Sequence, residues 1–126
     1  MKCEKLEVWK RSCRLSVEIY KAFVNSRDFG FKDQITRSSL SIGSCNPAGT
    51  RTNIAEGMEK ESNKEKIRFI EIAKGSTAEL ITQVYIGIEI DYIEKELGIK
   101  WTKELNEILK MLTGLKKNYI GDNLNG

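Results

Sequence analysis

The sequence predicts an all-α protein, an antiparallel up-and-down four-helix bundle occupying one domain over residues 1–126, with its second helix interrupted by an inserted loop at about 43–52. Three observations predict it. Apolar residues recur at spacings of three and four through long stretches, the period of a helix that buries one face. Proline occurs once, at Pro47, so little in the chain breaks a helix. A chain of 126 residues, 40% apolar and 31% charged, suits a single core that buries roughly two-thirds of its unfolded surface.

The elements follow in order. Leu6, Trp9, Cys13, Val17, Tyr20 and Val24 fall in one stripe on a helix over about residues 4–25. Asn25 to Gly30 reads as a turn, with Gly30 free to take the left-handed conformation. A second helix follows from about Lys32 to Ile42. Gly43 to Thr50 holds the proline and two glycines, a helix-breaking composition that reads as a surface loop. Thr50 or Thr52 then offers a cap for a short renewed helix through Glu59, with Gly57 inside it.

Ser62-Asn-Lys-Glu65 is a capping-box pattern and starts the third helix, because hydroxyl and carboxylate each satisfy an orphan amide. Its stripe is Ile67, Ile70, Ala73, Thr77, Leu80, Val84 and Ile88, and the run continues to about Leu97, on the order of 50 Å. Gly98 is the expected C-terminal cap. Thr102 is the expected cap of the last helix, whose stripe is Leu105, Ile108, Leu112, Leu115 and Tyr119. The tail from Gly121 to Gly126 reads as frayed.

Net charge is +3, below the balance that by itself announces a nucleic-acid domain, but it is unevenly spread. Residues 1–60 carry eleven Lys/Arg against seven Asp/Glu, whereas residues 61–126 carry ten against eleven. Around the start of the third helix lie Lys60, Lys64, Arg68 and Lys74, with Arg37 and Arg51 on the preceding segment. Gathered on one surface, these six would suit phosphates, aided by the free amides of a helix N-terminus. Dispersed, and neutralised by Glu59, Glu61 and Glu65, they form an ordinary solvated face.

Ala73, Gly75, Ser76 and Ala78 crowd small side chains into the middle of the longest helix, although a glycine there costs roughly 1 kcal/mol relative to alanine. Close approach of a neighbouring helix is the expected reason, either within the bundle or across a subunit contact.

Catalytic signals are weak. Histidine is absent, which removes the Ser-His, Cys-His and Glu-x-x-His arrangements. Glu56, Glu71, Glu79 and Glu89 on long helices read as solvent-facing or paired carboxylates. Ser38, Ser39 and Ser41 lack a recognisable base nearby and read as packing or backbone-bonding residues. The 43–49 loop lacks the Gly-Lys-Ser/Thr ending of a phosphate loop. Cys3, Cys13 and Cys45 are odd in number and lack metal-ligand spacing, which fits a reducing cytoplasm. No apolar signal core follows Met1, and no stretch approaches the ~18 uncharged apolar residues of a membrane span. The expectation is therefore no enzymatic activity, no cofactor, no metal and no membrane association.

In combination and order, four blocks of sequence resemble a known bacterial family. They are Gln34-Ile-x-Arg37-Ser38-x-x-Ser41-Ile42, Asn53-Ile-Ala-Glu-Gly57, Arg68-Phe69-x-x-Ile72-Ala73-x-Gly75-Ser76-x-x-Glu79-Leu80 and Met111-Leu-x-Gly-Leu115. The family is the four-helix-bundle proteins named for the intervening sequences of 23S ribosomal RNA genes. A more distant likeness is to the accessory variability determinants of diversity-generating retroelements, basic pentameric barrels that bind a reverse transcriptase and nucleic acid. The resemblance implies a four-helix bundle, a homo-oligomer expected to be a pentamer, and no assigned catalysis. Arg37, Asn53, Glu56, Arg68, Ser76 and Glu79 fall on the family's motif positions. One departure stands out, an insertion of about eight residues at 43–52, where surface loops cost little closure entropy but can alter a subunit contact.

The function expected from the basic first half and the resemblance is a non-catalytic oligomer that binds RNA or DNA through phosphates. The alternative is a protein-interaction scaffold that recruits a nucleic-acid enzyme such as a reverse transcriptase.

Overall fold

The computed structural model describes residues 7–43 and 62–125, with side chains as far as Ile120. Four helices make up the described chain: α1 (Glu7–Ala22), α2 (Phe29–Ile42), α3 (Asn63–Glu89) and α4 (Lys95–Asn125). No strand occurs among the described residues. Each helix packs against the next, and α4 returns against α1 to close the bundle. Cross-helix pairs run in opposite senses, with Arg11 against Glu104 and Glu18 against Lys100 and Trp101, which makes α1 and α4 antiparallel.

Local chemistry sets most of the boundaries. Asp28 caps α2 by accepting from the Phe31 amide at 3.1 Å, so the helix begins at Phe29 rather than Lys32. Gly30 therefore lies in the first turn of α2, not in a left-handed turn. Ser62 caps α3 through the Glu65 amide, the hydroxyl half of the expected capping box.

The third helix stops eight residues short of the expected Leu97. Ile90 is its C-cap and Asp91 takes a left-handed φ of 63°. The Asp91 amide donates to the Ile88 carbonyl at 3.1 Å and the Tyr92 amide to the Gly87 carbonyl at 2.8 Å. That pair of bonds is a Schellman motif with aspartate where glycine is usual. Consequently Gly98 is no cap. It lies in α4, its amide bonded to the Glu94 carbonyl, and Thr102 sits inside the same helix with its hydroxyl donating to Ile99. At the other end, α4 continues through Asn125 where a frayed tail was expected.

Glycine marks the close α3–α4 crossing. A Cβ on Gly98 would collide with Ile88, and one on Gly87 would lie 2.9 Å from Ile93 Cγ1 and 3.3 Å from Phe31 Cζ. Phe31 and Gly87 therefore stand at one level of the bundle, at the end that carries the α1–α2 and α3–α4 turns. We call this the turn end; the opposite end holds the start of α3 and the last turns of α4.

The core joins all four helices, including the fully buried Ile19, Ile35, Leu80, Trp101, Leu105, Ile108 and Leu112. Each contributes about 1.5–3 kcal/mol of apolar burial. The stripes predicted for α3 and α4 lie largely inside. The stripe predicted for α1 does not: Val17 is 53% exposed and Tyr20 42%, and Val24 is exposed as well. The buried line is instead Val8, Ser12, Leu15, Ser16, Ile19 and Phe23. Its serines tolerate burial because Ser12 Oγ donates to the Val8 carbonyl at 2.8 Å and Ser16 Oγ pairs with Ser39 Oγ at 3.1 Å on α2. Small side chains at that seam let α1 and α2 approach closely.

Candidate nucleic-acid interface

Basic residues could meet a polyanion only where they are exposed and not already held by carboxylates. The groove between α1 and α4, about 460 Å³ and floored by Leu15 and Trp101, largely fails that requirement, Lys103 being the one lining cation that no described carboxylate pairs. Arg11 there is held by Glu104, and Lys100 with the Trp101 indole N–H by Glu18. The Arg11 hydrogen bond, opposed by desolvation, holds the Glu104 carboxyl below its ordinary value.

The end of the bundle formed by the start of α3 and the last turns of α4 is different. Residues 62–74 and 110–120 hold seven Lys/Arg against two Asp/Glu, a net of +5, and antiparallel packing puts the two stretches side by side. Lys64 and Arg68 stand one helical turn apart on the exposed side of α3, and Lys117 is exposed on α4. None of the three has a carboxylate within ion-pair distance among the described residues. Lys66 lies over the Tyr119 ring, 5.1 Å from its centroid, and the Arg68 guanidinium 5.9 Å from that of Phe69. Glu71 is taken up by Lys116 at 2.7 Å and Lys74 at 3.6 Å, and the Lys116 bond pulls its carboxyl below the usual range.

The turn end has the opposite character. Residues 85–99 carry one lysine against four acids, a net of −3. Exposed Val24, Phe29, Tyr85, Ile86, Ile90, Tyr92 and Ile99 gather there, with Phe29 71% exposed. Asp28 and Tyr92 tie this end together through a 2.8 Å hydrogen bond, and Tyr92 packs edge-on against Phe31. The Phe31 amide, then the Tyr92 hydroxyl, hold the Asp28 carboxyl low.

Of the six basic residues singled out in the sequence, Lys64, Arg68 and Lys74 come together, although Lys74 is bound to Glu71 and only 25% exposed. Arg37 does not join them. It is 77% exposed and paired with Asp33 one turn back on α2. Counting from the level of Phe31 and Gly87, it stands about 20 Å from Arg68 along the bundle axis. Arg51 and Lys60 lie outside the described residues, as do Asn53, Glu56 and, after Gly43, the loop expected at 43–52. Sequence reading missed Lys66, Lys116 and Lys117. The available signal was that α4 must return antiparallel to α3, bringing its C-terminal lysines to the Ser62 end.

The small-residue group also divides. Ala73 is fully buried and Ser76 partly so, whereas Ala78 is exposed and a Cβ on Gly75 would meet nothing within 4 Å. No described helix crowds Gly75. Glu79 is exposed and accepts from Gln83, and Ser39 and Ser41 return hydrogen bonds to carbonyls of their own helix. No group of three His, Cys, Asp or Glu positioned to hold a metal occurs among the described residues. Nor is any described helix long and apolar enough to cross a membrane.

Comparison with known proteins reaches the same architecture. The family model of the 23S rRNA-intervening sequence protein matches residues 4–114. The chain belongs to this family. A solved structure from Bacteroides thetaiotaomicron VPI-5482, described as a protein with unknown function from the S23 ribosomal protein family, superposes with a TM-score of 0.75 at 30% identity. The match covers 87% of this chain and 98% of that one. No curated protein matches the chain.

Proposed function

We propose that this family member is a non-catalytic, self-associating helical bundle of the cytoplasm that binds nucleic acid through the basic end of α3 and α4. The observation that carries this reading is the net charge of +5 over residues 62–74 and 110–120, with Lys64, Arg68 and Lys117 exposed. Such a surface supplies phosphate contacts, and phosphate contacts dominate sequence-independent affinity and make it salt-dependent. Fluorescence anisotropy with labelled RNA and DNA tests it. Binding is expected at 50 mM salt and is expected to weaken by about two orders of magnitude at 200 mM if about four phosphates are engaged. Charge reversal at Lys64, Arg68 and Lys117 together is expected to abolish it with helical content unchanged. Absence of binding to every probe at low salt overturns the proposal.

Self-association has a separate support, the exposed apolar residues at the turn end and along α1 at Val17, Tyr20 and Val24. A homo-oligomer, with five subunits as the expected number, would bury part of that surface. Light scattering reads the mass directly: a monomer at micromolar concentration removes this part, and Val17→Asp with Tyr20→Asp is expected to lower the mass if α1 is in the contact. The same apolar end favours a second reading, a scaffold that recruits a nucleic-acid enzyme such as a reverse transcriptase. Co-purification with such an enzyme from the native host, lost on changing Phe29 and Ile90 to Asp, tests it.

A further inference from the structure

We infer that the basic end takes double-stranded nucleic acid by its phosphate backbone and does not read single strands by stacking; the inference rests on the nucleic-acid reading above and names its substrate class. Single-strand binders combine a basic groove with exposed aromatic rings on which successive bases stack. This chain has ten Phe, Trp and Tyr and no histidine, and every one of the ten lies in the described residues. The stretches 1–6, 44–61 and 121–126 contain none, so no segment outside the described residues brings a ring to the site.

The rings within reach of the basic end are already engaged. Tyr119 is half-buried beneath Lys66, Phe69 is half-buried beside Arg68, and Trp9 packs against the core with its indole nitrogen buried. The exposed rings are Tyr20, Phe29, Tyr85 and Tyr92, and they belong to the turn-end half of the bundle. Along α3, Tyr85 stands about 25 Å from Arg68 and opens the acidic stretch 85–99, so a strand stacked on that ring has left the basic end and lies against acidic residues. What remains at the basic end is an array of ammonium and guanidinium groups on two rigid helices. An array of that kind is sensitive to phosphate density, and a duplex presents one charge per about 1.7 Å of its axis.

Competition binding with the intact protein at 50 mM salt tests the inference. The probes are RNA and DNA duplexes of about 20 base pairs, set against unstructured oligo(U) and oligo(dT) of equal length. Each duplex is expected to bind at least about fivefold more tightly than the single strand of its own sugar, and the tighter of the two duplexes identifies the preferred helical form. Equal or tighter binding of either single strand overturns the inference while leaving nucleic-acid binding itself intact. Failure of all four probes overturns both. Phe69→Leu and Tyr119→Leu give an independent readout: less than about a twofold change for any probe is expected, and a tenfold loss confined to single strands, with an unchanged melting profile, overturns the backbone-only mode.

Discussion

The two glycines of α3 should respond to alanine in opposite directions. Both sit in the interior of a helix, where replacing glycine by alanine is worth about 0.8–1 kcal/mol of intrinsic propensity. No described residue lies within 4 Å of a Cβ placed on Gly75, so Gly75→Ala keeps the whole gain. At Gly87 the new methyl would meet Ile93, which is buried in the core, and Phe31 Cζ at 3.3 Å. Overpacking of that kind costs about 1–3 kcal/mol, so the net effect is a loss of about 1 kcal/mol. For 126 residues the unfolding entropy makes 1 kcal/mol equal to about 4 °C in Tm. The variants are therefore expected to melt about 8 °C apart, Gly75→Ala above the parent and Gly87→Ala below. Thermal circular dichroism at fixed protein concentration measures this, with light scattering to confirm equal mass. Shifts of the same sign would refute the reasoning about the α3–α4 crossing. A raised Tm for Gly75→Ala with reduced mass would show that the small residue serves a contact between copies.

Other perturbations have equally definite outcomes. Leu105→Ala empties a fully buried site on α4 and is expected to cost about 2–5 kcal/mol, lowering Tm by about 8–20 °C; a change under about 3 °C would contradict the core assignment. Asp91→Val puts a β-branched side chain at φ 63° and is expected to cost about 1–2 kcal/mol in chemical denaturation, while Asp91→Gly is neutral or slightly stabilising. Glu71 and Glu104 are held below their ordinary value of 4.5 by Lys116 and Arg11, and Asp28 below 3.8 by the Phe31 amide and Tyr92. Depressed carboxylates contribute stability above their unfolded values and lose it as pH falls through the folded ones, so Tm is expected to hold above about pH 5 and decline below 4.5. The Glu71→Gln, Glu104→Gln double variant is expected to decline less steeply; an identical acid profile would rule these pairs out as its cause.

Much of the fold was legible because it depends on local chemistry. Ser62 announces the start of α3, and Leu105, Ile108 and Leu112 announce the buried face of α4 with nothing near them to compete. The end of α3 was not legible, because aspartate in a Schellman turn carries a weaker signal than glycine and Ile88, Ile90 and Ile93 continue an apolar rhythm across it. Acidic Glu94 and Glu96, suited to a helix N-terminus, were the overlooked sign that α4 begins there. On α1 two apolar lines compete, and most of the richer one, Val17, Tyr20 and Val24, lies outward. The inner line was hidden by Ser12 and Ser16, polar by composition yet satisfied inside by bonds to Val8 and Ser39.

Residue order alone determined that this chain forms amphipathic helices, where α3 starts, which faces of α3 and α4 turn inward, and that no imidazole chemistry is available to it. Counting charge along the chain pointed to a basic first half, yet a sharp segregation lies within the second half, between residues 62–74 with 110–120 at +5 and residues 85–99 at −3. Only tertiary structure decided this, because antiparallel packing sets the first turns of α3 beside the last turns of α4, some fifty residues away in sequence, and carries the acidic turn between them to the far end of the bundle.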